Sequence, residues 1–336
     1  MCLVTAFLTV LCPLAVAAPK MLSVLPQPAP GAAPITVETR LIRSFDGFDA
    51  SRRQFGKLVW IGGLELNSET AQFGGFSGLH FVDEQRFVAV GDQGSVFAGR
   101  LVIEDGRPAG IEDATLGFLP GLEGRQPGWQ RDAEGLDVAG DLAYVSFEGD
   151  TRVMLYGLDG AKVKPIRGRL DLPKSVLRAN RGNKGLEAVA VAPMGSPHAG
   201  AVILMSESDK GGALQGWFHA NRRTDAFTLP QVDGLLVTDA AFTATGDLLI
   251  LERKFSFLGG LVIQIRRVKS ADLTAGPVVK IETLFRGNLL DELDNMEGMA
   301  IQNLADGSSL ISLISDDNFN SFQRTLLLQF VLPAGA

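Results

Sequence analysis

Four acids stand at nearly even intervals along the chain, each followed by a small residue and an apolar run. They are Glu134 before Gly-Leu-Asp-Val, Glu187 before Ala-Val-Ala-Val, Asp239 before Ala-Ala-Phe-Thr and Glu297 before Gly-Met-Ala-Ile. A fifth segment of the same form opens with a hydroxyl instead, Ser77 before Gly-Leu-His-Phe. A second apolar run follows each segment and ends in further acids: Asp92, Glu148, Glu207 with Asp209, Glu252, and Asp316 with Asp317. If such acids share one small space, each pair about 8 Å apart repels by roughly 2 kcal/mol at an effective dielectric near 20. Several such pairs approach the roughly 5–15 kcal/mol that stabilises a whole domain. Protons, Lys and Arg side chains, or a divalent cation must then offset the charge. Arg131, Lys184, Lys210, Arg253 and Lys254 stand close in sequence, and Asn183, Asn295, Asn318 and Asn320 add amide oxygens. A donor set made of oxygens alone suits Ca²⁺ or a similar hard cation. Zn²⁺ would require His or Cys, and the chain has three His and only two Cys, both in its first twelve residues.

The elements that must position these acids follow from the repeat itself. The steps between Ser77, Glu134, Glu187, Asp239 and Glu297 are 57, 53, 52 and 58 residues. That period is longer than those of helical solenoids and matches a propeller blade. Each unit holds an apolar strand, a second that ends in acids (87–90, 143–147, 202–206, 248–251, 310–315), and a third; four units add a weaker fourth. Four short antiparallel strands per unit make an all-β propeller. A β-sandwich also uses short strands, but it does not require the repeated opening residue. Five blades are counted, and residues 36–66 leave room for a sixth. The last unit has three strands, so an N-terminal segment, 35–42 or 57–66, is expected to complete it and remove the open sheet edges. In each blade the first strand lines the channel and the second returns beside it. The residue opening strand one and the residue closing strand two therefore meet at one channel mouth, with Gly or Ala beside them where strands crowd.

Other chemistry fits less well. Strand geometry disfavours Ser77 and His80 as a nucleophile–base pair, because residues three apart on a strand point to opposite faces. The segment 75–79 also lacks the final Gly of a nucleophile elbow. His198 and His219 read as surface or packed histidines, and Trp60, Trp129 and Trp217 as packing residues, with Trp129 placed to wall a pocket near Glu134. No phosphate-binding loop or dinucleotide fingerprint is present. With 31 Lys+Arg against 38 Asp+Glu and a net charge of −7, the chain lacks the basic balance of a nucleic-acid partner. Residues 1–17 read as a secretory signal ending in Ala15-Val16-Ala17, too short and too broken by Pro13 for a membrane span. Residues 18–35 read as a Pro/Ala-rich tether, and 36–333 as one domain. Localisation in the periplasm or the medium is expected.

The motifs Glu134-Gly135-Leu136, Asn183-x-Gly185-Leu186-Glu187-Ala188, Met296-Glu297-Gly298-Met299 and Ser315-Asp316-Asp317-Asn318, with Gln323 and Thr325 beyond, resemble those of the phytase-like family, "esterase-like activity of phytase". Phe73-Gly74-Gly75-Phe76-Ser77-Gly78-Leu79 followed by Asp92 is similar to that family too. The resemblance spans roughly residues 36–333 and implies an exported bacterial propeller that hydrolyses phosphate or carboxyl esters. It implies Glu134, Glu187, Asp239, Glu297, Asp316 and Asp92 as cation ligands, with Glu134, Glu187 and Glu297 also in the reaction. Arg131, Lys184 and Lys254 would meet an anionic substrate group. The expected partner is a small anionic or ester substrate. A non-catalytic, cation-stabilised binding module and a calcium-dependent lactonase are the alternatives.

Overall fold

The computed structural model describes residues 31–122, 126–180, 185–209, 211–256 and 259–336. The signal segment, most of the tether, and Asn183, Lys184 and Lys210 lie outside the described residues, as does the side chain of Asp209. Among the described residues no helix is long and apolar enough to cross a membrane.

Alternating apolar side chains build five antiparallel blades around one channel, so the room left for a sixth is not used. Blade one runs outward through Phe76–Phe81, Arg86–Gly91, Ser95–Glu104 and Arg107–Phe118, with Ala33–Pro34 on its outer edge. Blade two is Ala133–Ala139, Leu142–Phe147, Arg152–Asp159 and Lys162–Arg169. Blade three is Leu186–Val191, Val202–Asp209, Ala213–Ala220 and Arg223–Pro230, edged by the short parallel pair Gly276–Pro277. Blade four is Leu236–Phe242, Leu248–Ser256, Gly260–Val268 and Glu282–Asn288. Blade five is Met296–Asn303, Ser309–Ser315 and Thr325–Leu332, completed from the other end of the chain by Leu58–Asn67 and then Glu38–Ile42. Both N-terminal segments therefore join the closing blade, Leu58–Asn67 as its fourth strand and Glu38–Ile42 as a fifth.

The five inner strands touch one another in a closed ring. Period-two alternation gives each blade two apolar faces, and a hydrophobic cluster fills each gap between neighbours. Leu136, Ala143 and Val145 of blade two pack on Val88, Val90 and Val96 of blade one. The opposite face, with Val153 and half-buried Tyr144, packs on Leu186, Leu204 and Trp217 of blade three. The largest cluster joins blades four and five, where Phe45, Trp60, Phe285 and Phe330 meet edge-on or tilted at ring-centroid distances of 5.0–5.9 Å. Trp60 and Trp217 are therefore core residues, whereas Trp129 is 52% exposed on a short turn.

One irregularity recurs in every blade. The pairing of inner and second strand slips by one residue near the start of the inner strand, a β-bulge that turns one side chain toward the mouth. The bulge falls at Ser77, at Glu134-Gly135, at Glu187, at Thr238 and at Glu297.

Candidate functional site

The bulges define a ring of ten residues at one channel mouth. Ser77, Glu134, Glu187, Thr238 and Glu297 form its inner half. On each second strand, the residue one place beyond the partner of the residue preceding the bulge forms the outer half: Asp92, Glu148, Glu207, Arg253 and Asp316. Asp132, one residue before blade two begins, joins them. Among the described residues, eight carboxyls thus face one guanidinium.

Blade four departs from the repeat read in the sequence. Val237 pairs with Glu252 and Asp239 with Leu251, so Thr238 and Arg253 hold the ring positions. Asp239 and Glu252 are each one residue out of step, and a slip of one residue sends a strand side chain to the other face. Asp239 is a correction to the expected ligand set. Its carboxylate accepts from Ala240 N at 2.8 Å and from Met299 N at 2.7 Å, joining the inner strands of blades four and five. Glu252 is fully buried, paired with Arg266 and bonded to Gln264 at 3.1 Å.

The basic residues also differ from expectation. Lys254 turns away and donates to the carbonyl of Asp233. Arg131 lies with its guanidinium 5.9 Å from the Phe118 ring and makes no ion pair among the described residues. Lys184 is outside them. The cation in the ring is Arg253, whose Nη2 lies 3.1 Å from Glu297 Oε1. Strand alternation explains the exchange, since 253 faces opposite to both Glu252 and Lys254.

The carboxyls fall into connected groups. Asp92, Asp132 and Glu134 each offer an oxygen such that all three lie within 4.8 Å of one another, and Glu148, Glu187 and Glu207 do the same. Asp132 shares hydrogen bonds with Glu134 and Glu148, which requires a proton between such groups. Ser77 donates to Asp92 Oδ1 at 2.5 Å. Asn295 Nδ2 bridges Glu297 Oε1 at 2.9 Å and Asp316 Oδ2 at 3.1 Å. Gly185 lets Glu148 in, because a β-carbon there would stand 2.3 Å from the Glu148 Cα.

Burial and mutual repulsion raise these groups together. Asp92, Glu148, Glu297 and Asp316 are each pushed up to about 7, first by loss of solvent and then by neighbouring acids; for Glu297 the Arg253 charge opposes the rise. Burial, then Glu187, Asp92 and Asp132, holds Glu134 well above the usual carboxylate range. Glu187 is raised well above it by burial, then by Glu207 and Glu148. Burial raises Asp132 as well. Such a site exchanges protons near neutrality or gives them up to a cation.

Asp317 does something different from Asp316. It accepts from Gly75 N at 3.0 Å and from Thr325 Oγ1 at 2.9 Å, fastening the loop between the second and third strands of blade five to the start of blade one. Gly74, at φ 127°, leaves room for that carboxylate: a β-carbon would stand 2.4 Å from Asp317 Oδ1. Two motifs from opposite ends of the domain therefore meet beside the acids. A groove of about 650 Å³ opens next to them, lined by Arg253, Asn295, Asn318, Asn320, Gln323 and the 93% exposed Phe322.

The remaining histidines are packed: His198 Nε2 lies 3.3 Å from the Ser270 carbonyl, and His219 Nδ1 lies 2.9 Å from Thr224 Oγ1. Ser77 and His80 lie at opposite mouths of the channel, Ser77 bonded to Asp92 and His80 lying 3.0 Å from Asp137.

No curated protein matches the chain in sequence. Among solved structures, a PQQ-bound aldose sugar dehydrogenase from Streptomyces coelicolor is similar at 9% identity and a TM-score of 0.40, over 88% of this chain and 99% of that one. The nidogen/laminin complex is similar at 12% identity and a TM-score of 0.39, over 82% and 88% of the two chains. The Dos1 propeller is similar at 8% identity and a TM-score of 0.35, over 82% and 75%. The family model described as "Phytase-like: Esterase-like activity of phytase" matches residues 71–319, the greater part of the chain and every carboxyl that meets at the acidic mouth, and the protein belongs to that family.

Proposed function

We propose that the acidic mouth binds a hard divalent cation, calcium by preference, and hydrolyses phosphate or carboxyl esters beside it. The observation that carries this reading is the convergence of eight carboxyls with Arg253 as the one cation among the described ring residues. The donor chemistry fits: oxygens within 4.8 Å of one another can surround an ion that binds oxygen at about 2.3–2.6 Å. Glu134, Glu187, Asp92, Asp132, Glu148 and Glu207 would hold it. When bound, such a cation polarises an ester or phosphoryl oxygen and lowers the pKa of a bound water.

The chain's own residues supply the rest. Arg253, beside Glu297 at the groove, is placed to meet an anionic group of the substrate. Asn295 holds Glu297 and Asp316 in fixed positions relative to Arg253. Glu297 and Asp316, each poised at about 7, can take a proton from water and return one to the leaving oxygen at neutral pH. The groove with Phe322 and its amide side chains receives the organic part. The apolar residues 3–18 support export as the setting.

Metal analysis of the purified protein, melting curves with and without EDTA, and turnover of phosphomonoesters, phytate and simple carboxyl esters test the reading. Turnover no greater than that of a Glu187→Ala, Glu297→Ala double variant would overturn the enzyme. Calcium-dependent melting without any hydrolysis would make the cation structural and the protein a binding module. Turnover of acyl-lactones without phosphatase activity would identify a lactonase.

A further inference from the structure

The channel has a second mouth, where the inner strands end near Phe81, Ala139, Val191, Phe242 and Asn303. A cavity of about 460 Å³ opens there, within the size range of small-molecule sites. Its walls combine apolar side chains, Val138, Met194, Phe242, Met299 and Ile301 among them, with a smaller set of polar ones. Neither Lys nor Arg lines it.

The polar groups inside it are few and fixed. His80 and Asp137 occupy equivalent positions on neighbouring inner strands, and His80 Nδ1 lies 3.0 Å from Asp137 Oδ1. Asp137 is already engaged, its Oδ1 accepting from Val138 N at 2.8 Å and its Oδ2 from Val191 N at 2.7 Å. The carboxylate thus holds one edge of the imidazole and leaves Nε2 without a partner among the described residues. Asn303 Oδ1 accepts from Ala244 N at 3.0 Å, which leaves the amide NH₂ for a ligand. Tyr144 sits opposite Asp137 in the strand pairing, and burial followed by that carboxylate keeps its phenol protonated as a donor.

We propose that this mouth is a second ligand site, a pocket for a small uncharged molecule with an apolar body and a hydrogen-bonding oxygen. The apolar walls take the body, and the His80 imidazole, the Tyr144 hydroxyl and the Asn303 amide address the oxygen. The Asp137 charge and the lack of Lys or Arg exclude phosphates and disfavour carboxylates. The two mouths of the propeller therefore select opposite ligands, and the second is independent of the cation and of the hydrolytic reading.

The test is titration of the full chain with benzyl alcohol, with benzoate and inorganic phosphate as contrasts, followed by ¹H–¹³C spectra of the histidine rings. The expected result is a saturable shift of His80 alone, produced by the alcohol and by neither anion. His80→Gln should weaken binding about tenfold, the loss of roughly one buried hydrogen bond. Ala139→Trp, which fills the cavity from its rim, should abolish it, and Ala244→Trp does the same from the opposite rim should the first variant lower the melting temperature. Glu187→Gln should bind the alcohol unchanged. No saturable shift, equal binding of benzoate, or binding that survives a folded rim variant would each overturn the proposal.

Discussion

Glu187 and Glu297 are buried at 8% and 7% exposure with acids on several sides, and their protonation governs how the free and cation-loaded forms behave. Asp92, Glu148, Glu297 and Asp316 start from ordinary values of 3.8 or 4.5 and rise to about 7 in the fold. Over that window the unfolded chain loses protons that the folded chain keeps, so the folded state binds more protons and its stability falls as pH rises. Protein treated with EDTA should therefore melt several degrees lower at about pH 8 than at about pH 5. Saturating calcium should flatten or reverse that slope, because the cation competes with the same protons. A slope unchanged by calcium would remove the cation from these groups. Glu187→Gln relieves repulsion, so it should raise the melting temperature of the EDTA-treated protein while shrinking the rise that calcium adds. Asp132 and Thr238 are the ring residues that the sequence does not single out, and Arg253 stands only among the basic residues close by, without a place in the ring. Asp132 precedes the repeated segment rather than heading it, and Arg253 was hidden beside Lys254, with nothing in the residue types to say which of the two faces inward.

At the level of strands, the repeat was legible because the inner strand is built alike in every blade, with a polar residue at the bulge, a small or close-packed one after it, then apolar wall. Blade four was misread because Thr238-Asp239-Ala240 offers an acid one place late, and an identity repeat cannot detect a bulge offset of one residue. What Asp239 does instead predicts its phenotype. It is the acceptor for Met299 N between two inner strands, so Asp239→Ala should cost about 1–3 kcal/mol, as expected when a buried N–H loses its partner. Calcium binding should persist in that variant, and its loss there would return Asp239 to the ligand set. The neighbouring Glu252–Arg266 pair has side chains 0% and 3% exposed, with Gln264 and the Pro230 carbonyl completing its hydrogen bonds. Glu252→Leu alone leaves a buried guanidinium and should cost about 3–5 kcal/mol, whereas Glu252→Leu with Arg266→Met should restore most of that stability. Chemical denaturation of the two variants distinguishes the pair's burial cost from any role at the mouth.

The whole molecule holds together as a ring whose last blade borrows strands from the first part of the chain. Leu58–Asn67 pairs with Thr325–Leu332, and the segment leading into it carries Phe45 and Phe55 into the aromatic cluster around Trp60 and Phe330. That closure was legible from the missing fourth strand, although the chain offered two donors and the fold uses both. Deleting residues through 67 would expose the hydrogen-bonding edge of Thr325–Leu332 and the faces of Phe285 and Phe330, a combination that invites edge-to-edge aggregation. Among the described residues, deleting residues through 34 removes the two-residue pairing of Ala33–Pro34 with Leu116 and Thr115 and the close packing of Ala32 on Gly117. The shorter deletion should melt within a few degrees of the intact chain and keep its calcium response. The longer one should lose its cooperative transition and its calcium response together, because the acids at the mouth come from blades one, two, three and five and converge only while the ring is closed. A folded, calcium-responsive protein without residues 31–67 would show that the remaining strands close the ring unaided. Scanning calorimetry of the two truncations, each with calcium and with EDTA, separates these outcomes.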